Sequence, residues 1–166
     1  MAVHLEIQRS IAGGNVPRDE RFQAWVEAAL AGRAGDFNLA IRIVGEDEAL
    51  RYNLGYRGKD YATNVLSFPM ELPEGLPGEL SEELLHEMFE QDDVSLLGDI
   101  ALCAPVIKQE AMQQSKTEEE HWAHMVVHGM LHLQGFDHLD AEQTREMERL
   151  EIKILGTLGY TNPYND

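Results

Sequence analysis

Apolar and polar residues alternate near the beginning of the chain, and such alternation predicts a half-buried strand. Val3, Leu5 and Ile7 are apolar, and the residues between them are polar. A period of two places every other side chain on one face of a strand, whereas a period near 3.6 predicts a helix. By these two periods, the first third of the chain is predicted to form two strands and two helices: strands over 3–8 and 37–44, helices over 18–30 and 46–54.

The same reading of the remaining chain predicts two more strands, over 64–68 and 94–103, and three helices, over 105–114, 117–134 and 140–158. The acidic stretch 81–90 is predicted to be a fourth, short helix or an ordered insertion. The helix over 117–134 begins with a capping box, because Thr117 is followed three residues later by Glu120. This helix is also apolar on several sides. We therefore predict that it is the central and most buried helix of the fold.

Length and composition are those of an ordinary globular protein. A chain of 166 residues predicts one domain, over 1–166, and 43% hydrophobic and 26% charged residues are typical values. The single cysteine, Cys103, excludes an intrachain disulfide and fits a reducing compartment. We find no signal peptide and no apolar run of 18 residues, so we expect a cytoplasmic protein without a membrane span.

The net charge of −17 argues at first against a nucleic-acid partner, since phosphates attract basic surfaces. The charge is unevenly distributed, however. Residues 1–70 carry 8 basic and 9 acidic side chains, whereas residues 71–120 carry 2 and 14. The acidity is concentrated in the middle of the chain, so a local basic patch from the first part remains compatible with the sequence.

Five of the seven histidines lie between His121 and His138. His128 and His132 are four residues apart, so on a helix they share a face and can reach one metal ion. Gly135 can end that helix in the left-handed conformation, and the turn would bring His138 to the same ion. Three imidazoles and a fourth position held by water describe a catalytic zinc site. We predict one Zn²⁺, although nickel, copper and iron also accept imidazole.

The histidine spacing also fits a zinc peptidase or amidase. Peptidases of the metzincin type read H-E-x-x-H-x-x-G-x-x-H, in which the glutamate is the general base. Gly129 stands at the position of that glutamate. The ligand pattern is therefore present without the peptidase base, which indicates a different reaction.

Two further sets of residues are candidates for substrate contact. Arg57 and Lys59 lie in a predicted basic loop that precedes a strand, where they could hold an anion or be ordinary solvated charges. His121 and His124 lie on nearly the same stripe as the predicted ligands. The eight residues from His124 to His132 span roughly 12 Å of helix, too far for one ion. These two histidines could touch substrate or have a structural role.

Asp99 is unusual because it lies inside the apolar strand predicted over 94–103, and a buried carboxylate needs a partner. It could accept a hydrogen bond from a ligand histidine, or it could hold the fold through backbone contacts. The sequence leaves both alternatives open.

Three motifs, in this order, resemble those of the bacterial YbeY endoribonucleases, also called rRNA maturation factors. They are TNVLSFP at 63–69, LGDI at 97–100 and HGMLHLQGFDH at 128–138. The resemblance extends from about residue 37 to the C-terminus. Two positions depart from the family pattern: Phe136 stands where tyrosine is usual, and Ala62 where proline is usual. Neither is a predicted ligand.

The resemblance implies an α+β fold in which a small mixed β-sheet packs against helices. It implies a zinc ion bound by His128, His132 and His138, and it points to Arg57 as a catalytic residue. The implied activity is a cytoplasmic, single-strand-specific endoribonuclease that matures the 3′ end of small-subunit (16S) rRNA and serves ribosome quality control.

Within this hypothesis, zinc would activate water and Arg57 would stabilise charge on the phosphorane-like transition state. The general base is unassigned. Lys59 and His124 are further substrate-binding candidates. The residues expected to orient a ligand or hold the fold are Asp99, Ser67 and Asp137.

The expected partners are single-stranded RNA, rRNA and the ribosome, including a basic ribosomal protein, because the chain is acidic. The sequence does not determine the oligomeric state. One rival is a non-catalytic, ribosome-associated module whose metal is structural. That rival requires a fourth protein ligand in the position that a catalytic site leaves open.

Overall fold

The computed structural model describes residues 3–10, 16–30, 36–57, 64–69, 94–134, 136 and 140–164. Within these residues four strands and five helices form, in this order: β1 (Val3–Arg9), α1 (Asp19–Ala29), β2 (Asp36–Val44), α2 (Glu46–Arg57), β3 (Val65–Pro69), β4 (Val94–Cys103), α3 (Ala104–Gln113), α4 (Glu118–Leu133) and α5 (Ala141–Thr157). Each corresponds to a predicted element. The acidic helix predicted over 81–90 lies outside the described residues.

The four strands form one mixed sheet in the order β1-β2-β4-β3. β1 pairs with β2 and β2 with β4 in parallel, whereas β3 runs antiparallel to β4. The expected α+β fold with a small mixed sheet is confirmed. No helix among the described residues is long and apolar enough to cross a membrane.

Helix α4 lies against the sheet and is buried on nearly all sides, as its apolar pattern predicts. It packs tightly against the sheet at Gly129, where an added Cβ would lie 3.2 Å from Ile100 Cγ2 and 3.3 Å from Ser67 Oγ. Trp122 packs edge-on against Phe22 of α1, with ring centroids 5.8 Å apart. The position of α4 is therefore fixed from both sides.

Both ends of α4 are closed by hydrogen bonds. Thr117 Oγ1 accepts the Glu120 amide at 3.1 Å, which is the first half of the predicted capping box. At the other end, the Phe136 amide donates to the Leu131 carbonyl at 3.0 Å. That bond is characteristic of a Schellman helix end. Gly135, which we predicted to end the helix, lies outside the described residues.

The prediction for the end of α2 was wrong. We expected the helix to end near Leu54 and Arg57 to lie in a loop, but α2 continues to Arg57. The physical reason lies at Gly55, which has open space around its Cα. A glycine in an exposed helix costs only about 1 kcal/mol relative to alanine, so it weakens the helix without ending it.

Candidate metal centre

The two histidines at helical spacing on α4 come together as the sequence predicts. The Nε2 atoms of His128 and His132 lie 3.1 Å apart, and their ring centroids are 4.6 Å apart. The ring of His128 is 23% exposed, so the pair is reachable from solvent although the helix is buried.

A carboxylate on α5 holds the other nitrogen of His128. Glu151 Oε1 lies 2.5 Å from His128 Nδ1, and the Glu151 side chain is fully buried. An ionised carboxylate only accepts hydrogen bonds, so Nδ1 carries the proton and donates it to Glu151. This tautomer has its lone pair at Nε2, which is the nitrogen that faces His132.

The second oxygen of Glu151 has two partners. The hydroxyl of Tyr164 donates to Glu151 Oε2, and His124 Nε2 lies 3.4 Å from the same oxygen. His124 Nε2 is also 3.2 Å from the Tyr164 hydroxyl. The buried carboxylate is thus contacted by two imidazoles and one phenol.

These contacts shift the pKa values of the groups that make them. Burial acts to raise the pKa of Glu151, but the hydrogen bonds from His124, His128 and Tyr164 outweigh it and lower this pKa to about 2. Burial lowers the pKa of His124. Glu151 is therefore an anion and His124 is neutral at the pH of the cell.

The two described imidazole nitrogens are of a kind and spacing that zinc accepts. Two nitrogens bound to one tetrahedral zinc at about 2.0–2.1 Å lie roughly 3.3 Å apart, close to the 3.1 Å between the two Nε2 atoms. Ligand histidines usually donate their other ring N–H to a carboxylate, as His128 does. No group of three metal-binding side chains occurs among the described residues. His138, the predicted third ligand, lies outside them, as do Asp137 and Lys59.

Other predicted residues take different places. Arg57 is the last residue of α2, and its side chain lies outside the described part of the structure. His124, a candidate for contact with substrate, is buried with its Nε2 at Glu151 and Tyr164. Ser67 on β3 donates to the Gly129 carbonyl at 3.1 Å, which joins the sheet to α4 beside His128.

The expectation that Asp99 is buried was wrong. Its side chain is 43% exposed, and its carboxylate lies 3.7 Å from Arg42 Nη2. Ile100 faces α4 at Gly129, so the alternation of β4 points Asp99 to the opposite face of the sheet. On that face of the sheet, the buried residues lie farther along β4, around Cys103. Asp99 therefore does not serve the histidines of α4.

A second carboxylate contacts the first histidine of α4. Glu110 of α3 lies 3.0 Å from His121 Nε2 and accepts the Asn64 side-chain amide at 3.0 Å. Burial acts to raise the pKa of Glu110, but these two hydrogen bonds outweigh it and lower the pKa. This contact joins α3, α4 and the beginning of β3.

Sequence reasoning missed Glu151, Tyr164 and Glu110. A signal for Glu151 was present, because Met147, Glu151 and Leu155 are the buried residues of α5 and lie four apart. A carboxylate in the apolar stripe of an amphipathic helix requires a buried partner. No comparable pattern marks Tyr164, which follows the end of its helix.

The fold and the site together define a class: small mixed α+β proteins in which a buried helix presents a pair of histidines backed by a carboxylate. Residues 10–159 match the sequence model of the family described as Endoribonuclease YbeY. The chain belongs to this family, as the resemblance in its motifs predicts.

Proteins named Endoribonuclease YbeY are similar over nearly their whole length. That of Halorhodospira halophila is 46% identical over 94% of this chain and 93% of its own. That of Alkalilimnicola ehrlichii is 47% identical over 98% and 92%. The solution structure of TM1509 from Thermotoga maritima covers 99% of both chains with a TM-score of 0.54 and 21% identity, which is a likeness of fold alone.

Proposed function

We propose that this protein is a zinc-dependent, single-strand-specific endoribonuclease of the cytoplasm. Its substrate would be the 3′ end of 16S rRNA, in maturation and in ribosome quality control. Family membership and the names of the relatives support the endoribonuclease activity. The observation that carries the metal is the 3.1 Å approach of His128 Nε2 to His132 Nε2.

The residues that would hold the zinc are His128, His132 and His138. Such an ion supplies Lewis-acid chemistry, because it lowers the pKa of a water molecule to about 7 and polarises a phosphoryl oxygen. The protein contributes the orientation of the rings. His128 is fixed by Glu151, and the backbone of α4 between the two histidines is held to β3 by Ser67.

Arg57 would bind the phosphate of the scissile bond. Its planar guanidinium can donate two parallel hydrogen bonds to phosphate oxygens and stabilise the charge that develops there. Lys59 would add a positive charge to the same anion. Glu151 is not the general base in contact with substrate, because it is fully buried and both of its oxygens have partners.

The geometry around Gly129 disfavours the peptidase alternative. An added Cβ at this position would point at the sheet, 3.2 Å from Ile100 and 3.3 Å from Ser67 Oγ. A glutamate side chain here would require the side chains of Ile100 and Ser67 to shift. The position that carries the base in metzincin peptidases is thus used for helix–sheet packing.

The charge distribution is compatible with RNA at one part of the surface. Residues 1–70 are nearly neutral and include Arg57 and Lys59, whereas residues 71–120 carry 14 acidic and 2 basic side chains. RNA would be repelled by the acidic part and drawn to the basic residues. The acidic part would suit a basic ribosomal protein as partner.

The test combines metal analysis of the purified protein with cleavage of a labelled single-stranded RNA and its duplex. We expect bound zinc, cleavage of the single strand only, and at least a 100-fold loss of cleavage in His132→Ala and in Arg57→Ala. Matched controls are His4→Ala, an exposed histidine on edge strand β1, and Arg51→Ala, an exposed arginine of α2. Full cleavage by His132→Ala, or cleavage of casein instead of RNA, would overturn the proposal.

A further inference from the structure

The segment that follows α5 turns back toward the site. Gly159 has a φ of +88°, a backbone conformation that favours glycine, and the Tyr160 amide donates to the Leu155 carbonyl at 3.0 Å. These are the features of a Schellman helix end. The chain therefore reverses after α5 instead of extending into solvent.

A second turn then fixes Tyr164. Its amide donates to Asn162 Oδ1 at 2.8 Å, and its hydroxyl reaches Glu151, thirteen residues earlier in the chain. Its ring also lies nearly perpendicular to that of His124, with centroids 5.4 Å apart. Tyr164 is partly exposed, but its hydroxyl ends on a fully buried carboxylate.

The contacts of Glu151 divide between its two oxygens. Oε1 receives the Nδ1 proton of His128, whereas Oε2 receives the Tyr164 hydroxyl and faces His124 Nε2. A carboxylate held at Oε2 cannot rotate without breaking the contact at Oε1. The contacts of Tyr164 and His124 at Oε2 therefore restrict the carboxylate to an orientation in which Oε1 faces His128 Nδ1.

We propose that the C-terminal segment 159–164 is part of the metal centre: Tyr164 holds Glu151, and Glu151 keeps the proton of His128 on Nδ1 so that Nε2 is the ligand atom. Glu151 and Tyr164 are then positioning residues, and neither touches substrate. This inference rests on the proposed function for the identity of the metal. The tautomer of His128, however, is a property of the metal-free protein.

Two variants of Glu151 separate positioning from burial. Glu151→Gln keeps an oxygen that accepts from His128 Nδ1, whereas Glu151→Met has a similar volume and no comparable acceptor. We expect long-range ¹⁵N–¹H spectra of the metal-free protein to show His128 protonated at Nδ1 in the parent and in Glu151→Gln. In Glu151→Met this preference should be lost.

Zinc affinity, measured by competition with a chromogenic chelator, gives the second readout. Glu151→Met should bind zinc about 10- to 100-fold more weakly than the parent, and Glu151→Gln should lose less. Tyr164→Phe should weaken binding about threefold to tenfold, as the loss of one hydrogen bond predicts. Tyr164→Phe changes a partly exposed side chain, so this variant tests the inference even if Glu151→Met does not fold.

The matched controls are Tyr160→Phe and Glu146→Gln. Tyr160 lies in the same segment, but its hydroxyl accepts from Trp25 Nε1 instead of contacting Glu151. Glu146 is an exposed glutamate of the same helix. Both controls should bind zinc within about twofold of the parent, a change smaller than that expected for one hydrogen bond.

Two results overturn the inference. One is a folded Tyr164→Phe protein with the zinc affinity of the parent, and the other is a His128 tautomer that is unchanged in a folded Glu151→Met protein. A parent protein that binds no zinc but shows the expected tautomers contradicts the proposed function alone. A parent that cleaves RNA with His128 protonated at Nε2 contradicts only the inference.

Discussion

Helix α4 contacts a carboxylate at each of its two ends, and the two pairs use opposite nitrogens of the imidazole ring. Near its beginning, Glu110 takes Nε2 of His121, and the remaining Nδ1 is buried without a partner among the described residues. Farther along, Glu151 takes Nδ1 of His128, and the remaining Nε2 faces His132.

Under the proposed function, this difference would separate a metal-binding histidine from a structural one. Nε2 is the ring nitrogen farther from the backbone, so it can reach a point shared by two side chains. A carboxylate that takes Nδ1 leaves Nε2 for a ligand role, whereas one that takes Nε2 removes it. Glu151 makes both kinds of contact, with Nδ1 of His128 and with Nε2 of His124. The ring nitrogen that is contacted, and not the carboxylate itself, therefore separates the predicted ligand from the other histidines.

The two carboxylates also differ in their other partners. Glu151 is fully buried and is held by His124 and Tyr164, so its contacts remain within the site. The side chain of Glu110 is 28% exposed, and its other partner, Asn64, directly precedes β3. We therefore expect substitutions of Glu110 to change the free energy of unfolding. Substitutions of Glu151 should change the zinc affinity as well.

The strongest test of the comparison exchanges one histidine at each end for alanine. His128→Ala removes a predicted ligand and should weaken zinc binding at least about 100-fold. His121→Ala should leave zinc affinity within about threefold while lowering the free energy of unfolding by about 1–3 kcal/mol, because it leaves Glu110 without this partner. Chelator competition and urea unfolding measure the two quantities. An equal loss of zinc affinity in both variants would contradict the distinction.

The next largest effect is expected where α4 meets the sheet. Gly129→Val should lower the free energy of unfolding by about 1–3 kcal/mol, because its side chain would meet Ile100 and Ser67. Gly156→Val on α5 is the matched control, since nothing lies within 4 Å of its Cβ position. The control should be neutral or slightly stabilising, because valine is the better helix former. Equal unfolding free energies for the two variants, measured in urea, would show that this packing is loose.

Most of the architecture could be predicted from the sequence because periodicity reports which face of an element is buried. The periods of two and 3.6 residues located every described strand and helix. They failed for α2, where Gly55 suggested an end that the exposed helix does not have. The periods also predicted a buried Asp99, which is wrong. In sequence, a strand with one apolar face and one partly covered face resembles a strand that is buried on both sides.

The site was only partly predictable because its pieces come from distant parts of the chain. The spacing of His128 and His132 is local, so the sequence predicts their meeting. The partner of His128 lies 23 residues away on another helix, and Tyr164 reaches Glu151 only because the chain reverses after α5. Such contacts depend on the crossing of α4 and α5. The third ligand, His138, stays a prediction.

The contribution of the Glu110–His121 pair to stability should also depend on pH in the acid range. The pKa of Glu110 in the folded protein is lowered from its ordinary value of 4.5. Its contribution to stability is therefore present above about pH 4.5 and is lost as the pH falls through the folded-state pKa. Glu110→Gln should cost about 1 kcal/mol at neutral pH, and the gap to the parent should close in acid.

Urea unfolding of the parent and of Glu110→Gln across the acid range measures this gap. Glu146→Gln, which removes an exposed glutamate of α5, should show a small difference that hardly depends on pH. A gap for Glu110→Gln that stays constant or widens as the pH falls would assign its effect to packing instead of charge.

The smallest effect is expected at the hydrogen bond between the sheet and the helix. Ser67→Ala removes the donor to the Gly129 carbonyl and should lower the free energy of unfolding by about 0.5–1 kcal/mol. Zinc affinity should change less than about threefold, because Ser67 touches the backbone of α4 and no imidazole. Thr157→Val is the control, since its hydroxyl donates to a carbonyl within its own helix. A larger loss of zinc affinity in Ser67→Ala than in Tyr164→Phe would mean that backbone placement, rather than the carboxylate behind His128, governs the site.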